Sequence, residues 1–196
     1  SDAGHEVRLV GTHLDDAIVD ALVRSRVHPG LGVALPPGVE ALPLVAGAAA
    51  IEAAALIGVG VSSAGVGWVG ELLALHARPG TPVVMITKGL SLRDGELELL
   101  PDALARWLPP RPDGAPAAPV AVAGPCIAGE LARRVPTAVV LTGRDVALVE
   151  RIAALVATPY YHPFIDPDAV GVEVCAALKN AYAMGVAFGA GLHERA

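Results

Sequence analysis

One lysine stands out by its surroundings. Lys179 is the only formally charged residue between Glu173 and Glu194. On a helix its neighbours one turn away are Cys175, Ala176, Tyr182 and Ala183, so no carboxylate reaches it along the helix. Such a lysine either snorkels at the helix edge or is held in a cleft. In a cleft, burial disfavours the ammonium and makes the amine a proton donor and acceptor near neutral pH. An exposed helix lysine is the plain alternative, and the residues alone leave both open. Asn180 follows directly. It is mildly unfavourable inside a helix, so it serves a cap or core, or holds a ligand hydroxyl beside Lys179.

A second group of residues lies just after apolar runs. Lys88 follows Val83-Val84-Met85-Ile86-Thr87, and Gly89 lets the backbone turn. A cation at a strand's carboxyl end faces a ligand crevice; otherwise it is a solvated loop lysine. Gly124-Pro125-Cys126-Ile127-Ala128-Gly129-Glu130 follows Val120–Ala123 and reads as the opening of a helix, whose free N–H groups favour anionic or carbonyl oxygens. No histidine or basic residue near Cys126 in sequence marks an activated thiolate, so packing is its simpler role. His162, after Tyr160-Tyr161, reads as structural. No His or Cys pair has metal-ligand spacing, and no Ser-His-Asp order is present.

These residues need elements to position them. Val7–Val10, Leu56–Val61, Val83–Thr87, Val120–Ala123 and Ala138–Leu141 read as strands. Asp15–Arg26, Ala46–Ala53, Gly65–Ala77 and Asp145–Val156 read as helices. Pro36-Pro37-Gly38 breaks the chain, and Pro109–Pro116 reads as a surface loop. Strands alternating with helices predict an α/β fold with a mostly parallel sheet, helices on its faces and a ligand crevice beyond the carboxyl ends. Asp168–Leu192 is one long Ala- and Gly-rich helical pattern that leads out of the sheet domain.

Composition narrows the classes. The chain has 196 residues, 54% of them apolar, and a formal net charge of −6. That excludes disorder and argues against nucleic acid or an anionic membrane surface as partner. Cys126 and Cys175 cannot build a disulfide scaffold, which points to a cytoplasmic protein. Ala53–Gly70 is uncharged, but its five glycines and two serines fit a buried strand, a turn and a helix better than a membrane span. The first residues do not form a signal peptide.

The order Thr87-Lys88-Gly89-Leu90, then Gly124–Glu130, then Gly171-Val172-Glu173-Val174-Cys175-Ala176-Ala177-Leu178-Lys179-Asn180 resembles the NAD(P)-dependent glycerol-3-phosphate dehydrogenases. His5–Leu9 and Leu131–Val140 fit as well, so the likeness covers nearly the whole chain. Adjacent Leu-Lys-Asn on a Gly/Ala helix is its most specific part. The resemblance implies a Rossmann-like domain over residues 1–166 and, over 167–196, the first long helix of an all-helical substrate domain. It implies NAD or NADP as cofactor and dihydroxyacetone phosphate as substrate, in glycerol-3-phosphate, phospholipid and carbohydrate metabolism. Lys179 is then the general acid/base. Lys88 bridges substrate and cofactor, Gly124, Cys126 and Asn180 line the substrate pocket, and Ala128, Thr12 and His13 touch the cofactor.

The family's first strand and glycine-rich loop are expected before Ser1, and its phosphate-gripping residues after Ala196. The stretch as it stands is therefore expected to bind dinucleotide poorly. Cys126 stands where the family often has Asn, Ser or Thr. Val10-Gly11-Thr12-His13 offers no acid for a ribose 2′-hydroxyl at the strand end, which leaves NADP at least as plausible as NAD. A homodimer is among the assemblies the resemblance allows. Two other readings stay open: a different dehydrogenase of this architecture, such as a 2-ketoacid reductase, and a non-catalytic fragment.

Overall fold

The computed structural model describes residues 1–193. Its elements run β1 (Val7–Val10), α1 (Asp16–Ser25), β2 (Val39–Leu42), α2 (Gly47–Ala53), β3 (Ile57–Val59), α3 (Val66–His76), β4 (Val83–Met85), the hairpin β5 (Leu90–Arg93) and β6 (Glu96–Leu99), α4 (Leu100–Ala105), β7 (Val120–Ala123), α5 (Ala128–Ala132), β8 (Thr137–Thr142), α6 (Val146–Val156), β9 (Tyr161–Ile165) and α7 (Ala169–His193). The main sheet has the order β3-β4-β7-β8-β9. All its pairings are parallel except β7 with β8. This is a Rossmann-like α/β sheet. β1 and β2 form a separate parallel pair, so β1 and β3 each keep one edge unpaired among the described residues.

The central strands are buried on both faces because their side chains are apolar at every position. All three residues of β4 and all four of β7 are buried. Alternation splits them between two cores. Val83 and Met85 pack with Ile57, Val59, Leu73 and Leu104 on the α3 and α4 side. Val84 packs with Val120, Val139, Leu141 and Ile152 on the α6 side. Asp145 caps α6 by accepting from the Leu148 N–H at 3.0 Å, which satisfies one of the free donors of the first turn.

Three features escaped the pattern reading. β2 follows the Pro36-Pro37-Gly38 break at once; the Arg26 guanidinium secures it by donating to Pro36 O at 2.8 Å and Val39 O at 3.1 Å. The β5–β6 hairpin turns on Asp94 and Gly95, both with positive φ (52° and 85°), as a tight two-residue turn requires. β9 contains Pro163, tolerated because β9 lies at the edge of the sheet. The expected helix beginning in Gly124–Glu130 is short: α5 has five residues.

α7 spans 25 residues and buries only Glu173. Tyr182, Met184, Val186, Phe188 and Leu192 are all exposed. No helix among the described residues is long and apolar enough to cross a membrane. The last three positions of the expected 167–196 unit lie outside the described residues.

Candidate functional site

β3, β4 and β7 run in parallel, so their carboxyl ends share one side of the sheet. The segments leaving them are fastened to each other. Thr87, buried just after β4, donates its hydroxyl to Val61 O after β3 at 2.6 Å. Gly89 has φ +140°, and a Cβ there would touch Leu100 Cδ1 at 3.4 Å and Ser63 Cβ at 3.7 Å. Gly124 has φ +112°, and its Cβ would press on Val139 Cα at 3.2 Å and Ala138 O at 3.3 Å. Only glycine lets the chain leave β7 flat against β8. Lys88, between Thr87 and Gly89, is half-buried, and its ammonium donates a long 3.5 Å contact to Ile86 O.

Cys126 is partly buried against the α6-side core, in keeping with a packing role. Ala128 is exposed at the start of α5. Lys179 and Asn180 are both exposed on α7, and no hydrogen bond or ion pair joins either to Lys88 among the described residues. Of the two environments open to Lys179, the structure has the exposed one.

Thr12 and His13 leave β1. The Thr12 N–H and hydroxyl both donate to Asp15 Oδ2, at 2.9 and 2.6 Å. Those bonds hold the Asp15 carboxyl below its ordinary range. The exposed His13 ring meets Trp68 of α3 edge-on, with centroids 5.2 Å apart. An acid therefore does stand near the end of β1. Its signal was the Thr-x-x-Asp spacing, one turn beyond where the strand-end rule looks.

Glu173 is the group that sequence reasoning missed. Its residue is 1% exposed, and neither carboxylate oxygen has a hydrogen-bond partner among the described residues. Burial pushes its carboxyl up to about 7, and the Lys88 charge works against that rise. Together with the buried Thr142, whose hydroxyl is also unpartnered, it lines a cavity of about 20 Å³ between α7 and the sheet. No sequence signal separated Glu173 from a solvated helix glutamate.

A larger cleft of about 260 Å³ lies where Pro82 and Pro119 lead into β4 and β7, at the opposite end of those strands. Arg111 and Asp145, paired at 2.6 Å, line it, and none of the expected site residues does. Among the described residues no cluster of His, Cys, Asp or Glu could hold a metal ion.

The family described as NAD-dependent glycerol-3-phosphate dehydrogenase N-terminus matches residues 1–149. An NADP(+)-dependent glycerol-3-phosphate dehydrogenase of Archaeoglobus fulgidus is 32% identical over 99% of this chain and 56% of its own length. A glycerol-3-phosphate dehydrogenase (NAD(P)+) of Desulfitobacterium hafniense is 33% identical over 97% of this chain and 51% of its own. The chain thus spans about half the length of these relatives. Two solved structures share the fold: the Dunaliella salina enzyme DsGPDH (TM-score 0.77, 20% identity, 95% of this chain and 32% of that one) and glycerol-3-phosphate dehydrogenase from Coxiella burnetii (TM-score 0.74, 21% identity, 91% and 58%). On the match over residues 1–149 and these full-span relatives, the chain belongs to the NAD-dependent glycerol-3-phosphate dehydrogenase family.

Proposed function

We propose that the protein carrying this chain interconverts dihydroxyacetone phosphate and sn-glycerol 3-phosphate by hydride transfer with NAD(P)H. The observation that carries the reading is the meeting of the parallel strand ends of β3, β4 and β7 with the Gly89 and Gly124 turns and with Lys88, the place where this fold carries its ligand crevice. The residues present fit a dinucleotide. Gly89 and Gly124, both at positive φ, let the chain turn sharply away from the strand ends, and Lys88 adds a cation for an anionic ligand there. Bound there, the nicotinamide supplies or accepts the hydride.

The chain's own residues do the rest. Lys179 gives a proton to the ketone oxygen as it becomes a hydroxyl and takes it back in the reverse direction. Lys88 holds substrate against cofactor, Asn180 binds a substrate hydroxyl, and Gly124 and Cys126 wall the pocket. Ala128, Thr12 and His13 contact the cofactor. Residues 1–166 serve as the dinucleotide-binding part. From 167 onward the chain begins a helical substrate part, which the exposed apolar side of α7 supports. Closure of that part is what brings Lys179 out of solvent and to the crevice. NAD and NADP both remain candidates, since the family is described by the first and a relative by the second. A cytoplasmic setting and a phosphorylated small-molecule substrate complete the reading.

Lys179→Met in the full-length protein tests it. With the proton donor gone, kcat for dihydroxyacetone phosphate reduction falls about 100-fold or more while KM changes little. Normal turnover by the variant rejects the acid/base assignment. Absence of any NADH or NADPH oxidation by the unaltered protein rejects the reaction.

A further inference from the structure

The cleft of about 260 Å³ where the chain enters β4 and β7 has no part in the proposed reaction, which lies at the other end of those strands. Its charged lining is Arg78, Arg111, Arg151 and Asp145. Three guanidinium groups against one carboxylate leave two positive charges on its walls, in a chain whose formal net charge is −6. Asp113 also accepts from Arg111, at 3.3 Å, but it is exposed and does not line the cleft.

Separate elements present these arginines. Arg78 follows α3 and donates to Ala54 O at 2.8 Å. Arg111 stands in the loop between α4 and β7, which its own N–H closes by donating to Ala115 O at 2.9 Å. The turn at Gly80 packs against that loop: at φ +79° its Cβ would meet Pro112 Cδ at 2.8 Å. Arg151 lies on α6 and makes no hydrogen bond or ion pair among the described residues. Both oxygens of Asp145 are taken, Oδ1 by the Leu148 N–H at 3.0 Å and Oδ2 by Arg111 at 2.6 Å. A guanidinium carries five N–H donors. Arg78 commits one to the protein, Arg151 none, and the Arg111 Nε–H is buried with no acceptor among the described residues. Such a donor is costly to leave unmade.

We propose that this cleft binds a small organic phosphate dianion, its phosphoryl oxygens shared among Arg78, Arg111 and Arg151 and its carbon skeleton laid against Leu108 and Leu148. A phosphate monoester concentrates nearly two negative charges and three acceptor oxygens on one group. That matches the two guanidinium charges left unneutralised, where a monocarboxylate brings one. Planar guanidinium forks suit phosphate oxygens. One water needs about 10–15 Å³ of such space, so the cleft admits an organic group besides its charged head.

Phenyl phosphate is the probe, titrated calorimetrically into the 196-residue chain, with benzoate as the singly charged comparison. Phenyl phosphate binds, and benzoate binds about tenfold more weakly or not at all. Arg151→Gln gives up no bond within the protein and lowers the phenyl phosphate affinity about tenfold, with an unchanged urea midpoint; Arg78→Gln lowers it likewise. Lys88→Gln leaves it unchanged. Absence of binding at millimolar phenyl phosphate overturns the proposal, and so does equal affinity for benzoate. Full affinity in both arginine variants, or its loss in Lys88→Gln, places the anion elsewhere and overturns it too. No turnover is read, so failure of the dehydrogenase reading leaves this test intact.

Discussion

Glu173 also leaves a mark on stability. Its carboxyl titrates at about 7 in the folded chain, above the ordinary 4.5. Between those values the unfolded chain has already lost the proton that the folded chain keeps. Stability from this group is therefore full below about pH 4.5, falls as the pH rises toward 7, and stays low above it. The loss amounts to about 3 kcal/mol. Glu173→Gln removes that slope, which urea unfolding at pH 5 and pH 8 would measure; an identical slope in the variant contradicts the burial argument. Gly124→Ala is the second residue-scale test. Positive φ and the contact with the Val139 backbone make it destabilising by about 2 kcal/mol, again read by urea unfolding. In sequence, Gly124 was visible as a glycine after a strand. Glu173 was not, because burial of a helix glutamate depends on which face meets the sheet, and α7 is apolar nearly all round.

At the scale of elements, the crevice depends on how its strand ends are fastened. Thr87→Val keeps shape but leaves Val61 O without its donor. We expect a loss of about 1–3 kcal/mol in thermal or urea unfolding, with faster amide exchange confined to residues 61–63 and 86–89. Exchange rates unchanged there would show that the bond does not fasten the mouth. The central strands β4 and β7 were legible because each is a continuous apolar run. The hairpin after Gly89 was legible in principle: Leu90, Leu92, Leu97 and Leu99 alternate around Asp94-Gly95. Strand–helix alternation does not mark it, because β5 and β6 follow each other with no helix between them. β9 and β2 were hidden by proline. Pro163 sits within one, and Pro36-Pro37 stands before the other, where an arginine from the preceding helix supplies the register that pattern alone does not.

For the molecule as a whole, the proposed function places cofactor choice at the β1 end. Asp15 accepts two bonds from Thr12 and is poised one turn beyond the strand. If it faces the adenosine ribose in the full-length protein, as the proposed function has it, Asp15→Ala raises the preference for NADPH over NADH, measured as the ratio of the two kcat/KM values. An unmoved ratio removes Asp15 from cofactor selection. The α/β class followed from chain order. The exposed state of Lys179 did not, since a solvated lysine and a cleft lysine share the same neighbours along a helix.

The unpaired border of β1 carries a practical consequence. Among the described residues, Val7 and Leu9 are 36% and 43% exposed on a strand that hydrogen-bonds on one side alone. Bare backbone flanked by oily side chains recruits like strands from other molecules. Concentrated preparations of these 196 residues should cloud over hours, and a Leu9→Lys substitution should delay the onset of light scattering by planting a charge where copies would meet.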